Sequence, residues 1–103
     1  MYIYVDDNDF KQEVLDIDKF AYINEIKVYY FNTNFENSVD AINKGNNINK
    51  TSIIFTKKID KAYEFIKKVK TERVYINQKP DEEFIYNINM NNLVFNKKIM
   101  LKK

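Results

Sequence analysis

The chain has no histidine and no cysteine, and only one glycine and one proline among its 103 residues. Neither imidazole nor thiol can therefore serve as a catalytic group. The missing cysteine also excludes a disulfide framework and thiolate zinc sites, leaving carboxylates and other oxygens as the metal ligands on offer. A single glycine rules out both the GxGxxG and the GxxxxGK[ST] phosphate loops. No apolar run approaches the roughly 20 residues of a membrane span. The opening Met1-Tyr2-Ile3-Tyr4-Val5-Asp6-Asp7 lacks the basic and long apolar regions of a signal peptide. These absences predict a soluble, cytoplasmic protein with no membrane insertion and no bound cofactor.

What is present is enough to fold. Apolar residues make up 45% of the chain and charged residues 31%, with eight tyrosines and eight phenylalanines. That composition is far from the signature of disorder, and the length fits one domain, residues 1–103. Lysine plus arginine exceed aspartate plus glutamate by 17 to 15, too weak a bias to imply nucleic acid without a clustered basic face. The stretch Lys67, Lys68, Lys70 and Arg73 reads as solvated. Tyr2, Tyr4, Tyr29 and Tyr75 read as strand side chains packed under helices, so no nucleic-acid partner is expected. The many asparagines form no tract and carry no functional assignment.

Short runs rich in β-branched and aromatic residues mark strands at 2–5, 26–31, 52–55 and 73–76, with a fifth within Leu93 to Leu101. Their apolar residues are nearly continuous, as in strands covered on both faces. Between them the period changes to that of helices: Phe10, Val14 and Ile17; Phe35, Val39 and Ile42; Ile59, Ala62, Tyr63, Ile66 and Val69; Phe84, Ile85 and Ile88. Capping spacings support the helix starts, with Asp9 before Gln12, Thr33 before Glu36, and Pro80-Asp81-Glu82-Glu83; Gly45 suits a helix end. Alternation of this kind predicts an α/β domain, one doubly wound, mostly parallel five-stranded sheet with four helices.

In such sheets ligands bind beyond the carboxyl ends of the strands. The loops there supply Asp6, Asp7 and Asp9; Asn32 and Thr33; Thr56, Lys57 and Lys58; and Asn77. Asp6, Asp7 and Asp9 could bind Mg²⁺ as acids at a first strand end do in receiver-like folds, but a helix cap and solvated loop is the favoured reading, since acids are preferred at helix starts in any protein. Lys57 and Lys58 could hold a phosphate at a helix N-terminus or be an ordinary solvated pair. No strong nucleophile stands among these residues, and no metal site or catalytic residue is assigned.

Three stretches carry a resemblance. Tyr2-Ile3-Tyr4-Val5-Asp6-Asp7 is followed by Asp9-Phe10-Lys11-Gln12-Glu13-Val14-Leu15. Lys27-Val28-Tyr29-Tyr30-Phe31 runs into Ser38-Val39-Asp40-Ala41-Ile42-Asn43-Lys44-Gly45. Ser52-Ile53-Ile54-Phe55 leads into Thr56-Lys57-Lys58-Ile59-Asp60-Lys61-Ala62, with Arg73-Val74-Tyr75-Ile76-Asn77 as the next strand. Together they resemble the IIB subunits of the mannose/fructose/sorbose family of the sugar phosphotransferase system, across nearly the whole chain but in short, degenerate motifs. The resemblance implies a flavodoxin-like strand order 2-1-3-4-5 and a place in passing a phosphoryl group from a IIA domain to a sugar. It fails where the chemistry lies. The family's preceding strand and its phospho-histidine loop have no counterpart here, and its glycine-containing loop after the later strand is replaced by Asn77-Gln78-Lys79-Pro80.

The expectation is thus a non-catalytic IIB-like domain that binds a protein partner, such as a IIA-like domain or another phosphotransferase component, with a homodimer also open. Two alternatives stand beside it: a small Mg²⁺-dependent, phosphoryl-handling domain using Asp6, Asp7 or Asp9, and a module from a mobile element that inhibits or binds a host protein.

Overall fold

A computed structural model describes residues 1–32, 34–44 and 50–80 in full and the backbone of 86–88 and 97–101. Strand β1 (Tyr2–Val5) leads through a single 3-10 turn (Asn8–Phe10) into helix α1 (Lys11–Ile23). Then follow β2 (Tyr29–Phe31), α2 (Phe35–Asn43), β3 (Thr51–Phe55), α3 (Ile59–Lys68), β4 (Arg73–Ile76), β5 (Tyr86–Ile88) and β6 (Lys97–Leu101). The sheet runs β2-β1-β3-β4-β6-β5. Strands β2, β1, β3 and β4 are parallel, β6 joins β4 in parallel, and β5 pairs antiparallel with β6. The α/β class and the parallel sheet are as the sequence predicts.

Strand alternation sends Tyr4, Ile54, Val74 and Ile76 to one face and Ile3, Ile53, Phe55 and Tyr75 to the other. Helices α2 and α3 close the first face with Val39, Ile42, Ala62, Phe65 and Ile66. Helix α1 closes the second with Ile17, aided by Phe10 and Val14. Ile53, Ile54 and Phe55 are wholly buried, as a central strand covered on both sides must be, each contributing about 1.5–3 kcal/mol. Tyr4 and Tyr75 lie under helices as expected, whereas Tyr29 is exposed and stacks on Tyr2, with ring centroids 5.7 Å apart.

Several expectations need correction. The second strand spans only 29–31 of the anticipated 26–31. Ile59 and Tyr63 are exposed; the buried stripe of α3 is Ala62, Phe65 and Ile66, with Val69 just past its end. The cap of α2 is Asn34, whose side chain accepts from the Asn37 N–H at 3.1 Å, and the acid that caps the 3-10 turn is Asp7, not Asp9. The anticipated fourth helix is not found among the described residues. Ile88 lies on β5, while residues 81–85, like Thr33 and Gly45, fall outside them. The described strands therefore number six, one more than predicted. No described helix is long and apolar enough to cross a membrane.

Candidate functional site

The carboxyl ends of β1, β3 and β4 lie side by side, so the loops after them meet. Asp6 follows β1, its backbone N–H donating to the Phe55 carbonyl at 2.9 Å. One carboxylate oxygen accepts from the Thr56 hydroxyl at 2.7 Å, and the other from the Lys61 ammonium at 3.0 Å. The Tyr4 hydroxyl stands 3.5 Å from the second oxygen. Burial opposes ionisation of Asp6, but the Thr56 hydroxyl and the Lys61 ammonium outweigh it and hold the carboxyl below its ordinary value of 3.8. Lys61 is raised in turn, chiefly by its bond to Asp6.

Beyond β4 the chain turns at Asn77, in the left-handed region at φ 58°, where asparagine is among the few residues tolerated. That turn aims its amide back at the sheet. Its Oδ1 accepts from the Thr56 N–H at 2.9 Å and its Nδ2 donates to the Thr56 carbonyl at 3.0 Å. One side chain thereby supplies the donor and acceptor of a peptide group, extending the β3–β4 ladder by a rung past the Asn77 N–H bond to Ile54. The Thr56 hydroxyl also accepts from the Lys58 N–H at 3.0 Å, closing the turn into α3. Gln78, next along, is buried, and among the described residues neither of its amide atoms has a hydrogen-bond partner.

A second, outer cluster is held by Lys57. Its ammonium bonds Asp9 and lies 4.0 Å from Asp7, while Asp7 Oδ1 accepts the Asp9 N–H at 2.9 Å. The bond to Lys57 lowers Asp9, and the bond to Asp9 raises Lys57.

Of the residues singled out from sequence, Asp6, Thr56, Asn77 and the backbone of Lys58 meet in one network, and Asp7, Asp9 and Lys57 in another. Asn32 is exposed beyond β2 and bonds to neither; Thr33 lies outside the described residues. Lys61 and Tyr4 are the members that sequence reasoning missed. Lys61 had a faint signal: a cation in the first turn of a helix faces the positive end of the dipole, an unfavourable position unless an acid is near.

Among the described residues no three acidic groups gather where they could hold a metal ion, and Asp6 directs both oxygens at a cation and a hydroxyl. A Mg²⁺ ion at Asp6 would meet the Lys61 ammonium 3.0 Å from one oxygen, and Asp9 is bonded to Lys57, which also lies 4.0 Å from Asp7. No protein-family model, curated protein or solved structure matches the chain.

Proposed function

We propose that the chain is a non-catalytic, sugar-phosphotransferase IIB-like domain that binds a protein partner, such as a IIA-like domain or another phosphotransferase component. In this reading the full fold is a flavodoxin-like sheet of order 2-1-3-4-5 with a fourth helix, β6 taking the fifth place. The partner meets the strand-end rim around Asp6, Asp7, Asp9, Asn32, Thr33, Thr56, Lys57, Lys58 and Asn77.

The observation that carries the reading is the engagement of both Asp6 oxygens by groups of the chain itself. A phosphoryl acceptor or a metal-binding acid needs an oxygen free to meet its substrate, and both oxygens of Asp6 are engaged by Thr56 and Lys61. The sequence offers no histidine in its place. What the rim does present outward is a fixed pattern of exposed charge on Lys57, Lys58 and Asp9, suited to complementary contact with a protein and to little chemistry. The argument for the IIB family itself rests on the residue stretches named above.

The test is to incubate the protein with phosphoenolpyruvate, the general phosphotransferase proteins and a mannose-family IIA domain, then measure intact mass and IIA binding. No phosphoryl gain together with a complex that weakens in Lys58→Glu is the expected outcome. A stoichiometric gain of one phosphoryl group overturns it, with Asp6 and Asp7 the first acceptors to mutate. Saturable, stabilising Mg²⁺ binding would favour the metal-dependent alternative instead.

A further inference from the structure

Among the described residues strand β2 forms one end of the sheet and pairs with β1 alone. Tyr29 donates its N–H to the Met1 carbonyl at 2.9 Å. In a parallel ladder alternate residues face the neighbour, so Tyr29 and Phe31 turn their polar groups inward and Tyr30 turns its N–H and C=O out to the free edge. Natural edges are blunted by short length, a charge, a proline or a bulge. Tyr29–Phe31 is three residues long but carries no charge or proline.

Helix α1 flanks this edge and is apolar on two sides. Val14, Ile17 and Ala21 face the sheet, while Leu15, Tyr22 and Ile23 are 53%, 87% and 76% exposed. With Asp18 and Lys19 at the intervening helical spacings, these residues form one outward stripe. A shallow depression is lined by Asp18, Lys19, Tyr22 and Ile23. The Tyr30 hydroxyl bonds Asp18, so the stripe and the edge strand form one continuous surface.

We propose that this surface binds a second copy of the chain. Strand β2 pairs antiparallel with β2 of the second copy across a twofold axis, and the two α1 stripes pack against each other above the joined sheet. The charges argue for a copy of itself over a different protein. Across a twofold axis a patch must be complementary to itself, and the pair Asp18 and Lys19 is, with the aspartate of each copy facing the lysine of the other. Lys19 takes part in no ion pair among the described residues. Asp18 spends one oxygen on Tyr30 and keeps the other. A uniformly acidic or basic partner would leave one of the two unmatched.

Helix α1 also reaches the edge itself: Asp18 bonds the β2 residue Tyr30, while Ile17 clusters with Ile3 of β1 and with Ile53 and Phe55 of β3.

Sedimentation of the full chain over a concentration series tests the proposal. A reversible monomer–dimer equilibrium is expected, weakened at least about tenfold by Ile23→Asp, by Asp18→Lys and by Lys19→Glu, each alone. An equimolar mixture of the Asp18→Lys and Lys19→Glu proteins should recover dimer as the mixed pair, because each supplies the charge the other has lost. Tyr30→Phe, which removes only the hydroxyl bond to Asp18, should fold and still dimerise. A chain that stays monomeric up to about 1 mM overturns the proposal and leaves the face to a different protein. So does a dimer indifferent to Ile23→Asp, or a mixture that fails to recombine.

Discussion

The strand-end rim and the α1–β2 edge handle unsatisfied groups in opposite ways. At the rim, where parallel α/β sheets ordinarily present their chemistry, each polar group of Thr56 is matched and both oxygens of Asp6 are engaged from within. At the edge, where such a domain is ordinarily plain, strand polar groups and large apolar side chains are left outward. Hydrogen bonds invested inside a chain make stability; groups left unmatched on its surface make association. The position of a residue in a familiar fold therefore does not tell which of the two it serves.

The contrast can be broken by substitution, beginning where the effect is largest. Asn77→Ala orphans the N–H and carbonyl of buried Thr56 and forces alanine into the left-handed region, an expected loss of about 2–4 kcal/mol. The melting temperature would fall by about 10–25 °C. Asn77→Gly loses the same hydrogen bonds but avoids the steric cost, and should recover about 1 kcal/mol relative to Asn77→Ala in chemical denaturation. If Asn77→Ala melts like the parent, the rim is not built as described.

Asp6→Ala should cost about 1–2 kcal/mol, and Thr56→Val about 1 kcal/mol, without altering the oligomeric state in sedimentation. Asp6 also sets an acid limit. Its folded value is depressed below 3.8, so its stabilisation is fully present above that pH and is lost as the pH falls through the folded value. Denaturation curves between neutral and acid pH should show this loss in the parent and a smaller one in Asp6→Asn.

Near the edge the expected stability effects are small. Tyr22→Ser and Ile23→Ser should leave monomer stability within about 0.5 kcal/mol of the parent, read at concentrations where the chain is dilute. One backbone position there should improve. Helix α1 ends in a Schellman arrangement, the Ile26 N–H bonding the Ala21 carbonyl at 2.9 Å and the Glu25 N–H the Tyr22 carbonyl at 3.4 Å. Glu25 takes the left-handed conformation, φ 55°, that glycine usually fills. Glu25→Gly should stabilise by about 0.5–1 kcal/mol by thermal melting, since relief of the steric cost exceeds the added chain entropy.

The β1, β3 and β4 strands are legible because their apolar runs are short and dense, and α1 and α2 because Phe10, Val14 and Ile17, and Phe35, Val39 and Ile42, keep a helical spacing that the core uses. Helix α3 misled through Ile59 and Tyr63, which keep the helical period but sit off the buried face; the Tyr63 ring instead receives the Lys67 ammonium at 4.6 Å. The caps were misplaced by one or two residues, since neighbouring polar residues such as Thr33 and Asn34, or Asp7 and Asp9, compete for one role and only backbone geometry decides. Tyr86–Ile88 was read as helix because three residues carry too little period to distinguish the two. At the rim the acids and Thr56 were identifiable by position. That Lys61 would neutralise Asp6 depends on a pairing 55 residues apart in the chain, which no local pattern encodes.

The side-chain rung at Asn77 matters beyond the energy of its two bonds. Thr51 stands opposite Arg73 and Ile54 opposite Ile76, and only that alignment brings the Asn77 amide to the Thr56 backbone. A slip of β4 along β3 by two residues would keep every apolar side chain on its proper face, so hydrophobic burial alone discriminates poorly against it. The amide would then meet a different residue and the turn at φ 58° would have nothing to hold it. Asn77 is thus a proofreading device for alignment: it makes the near-miss sheet, the competitor most difficult to exclude during folding, lose two bonds at once.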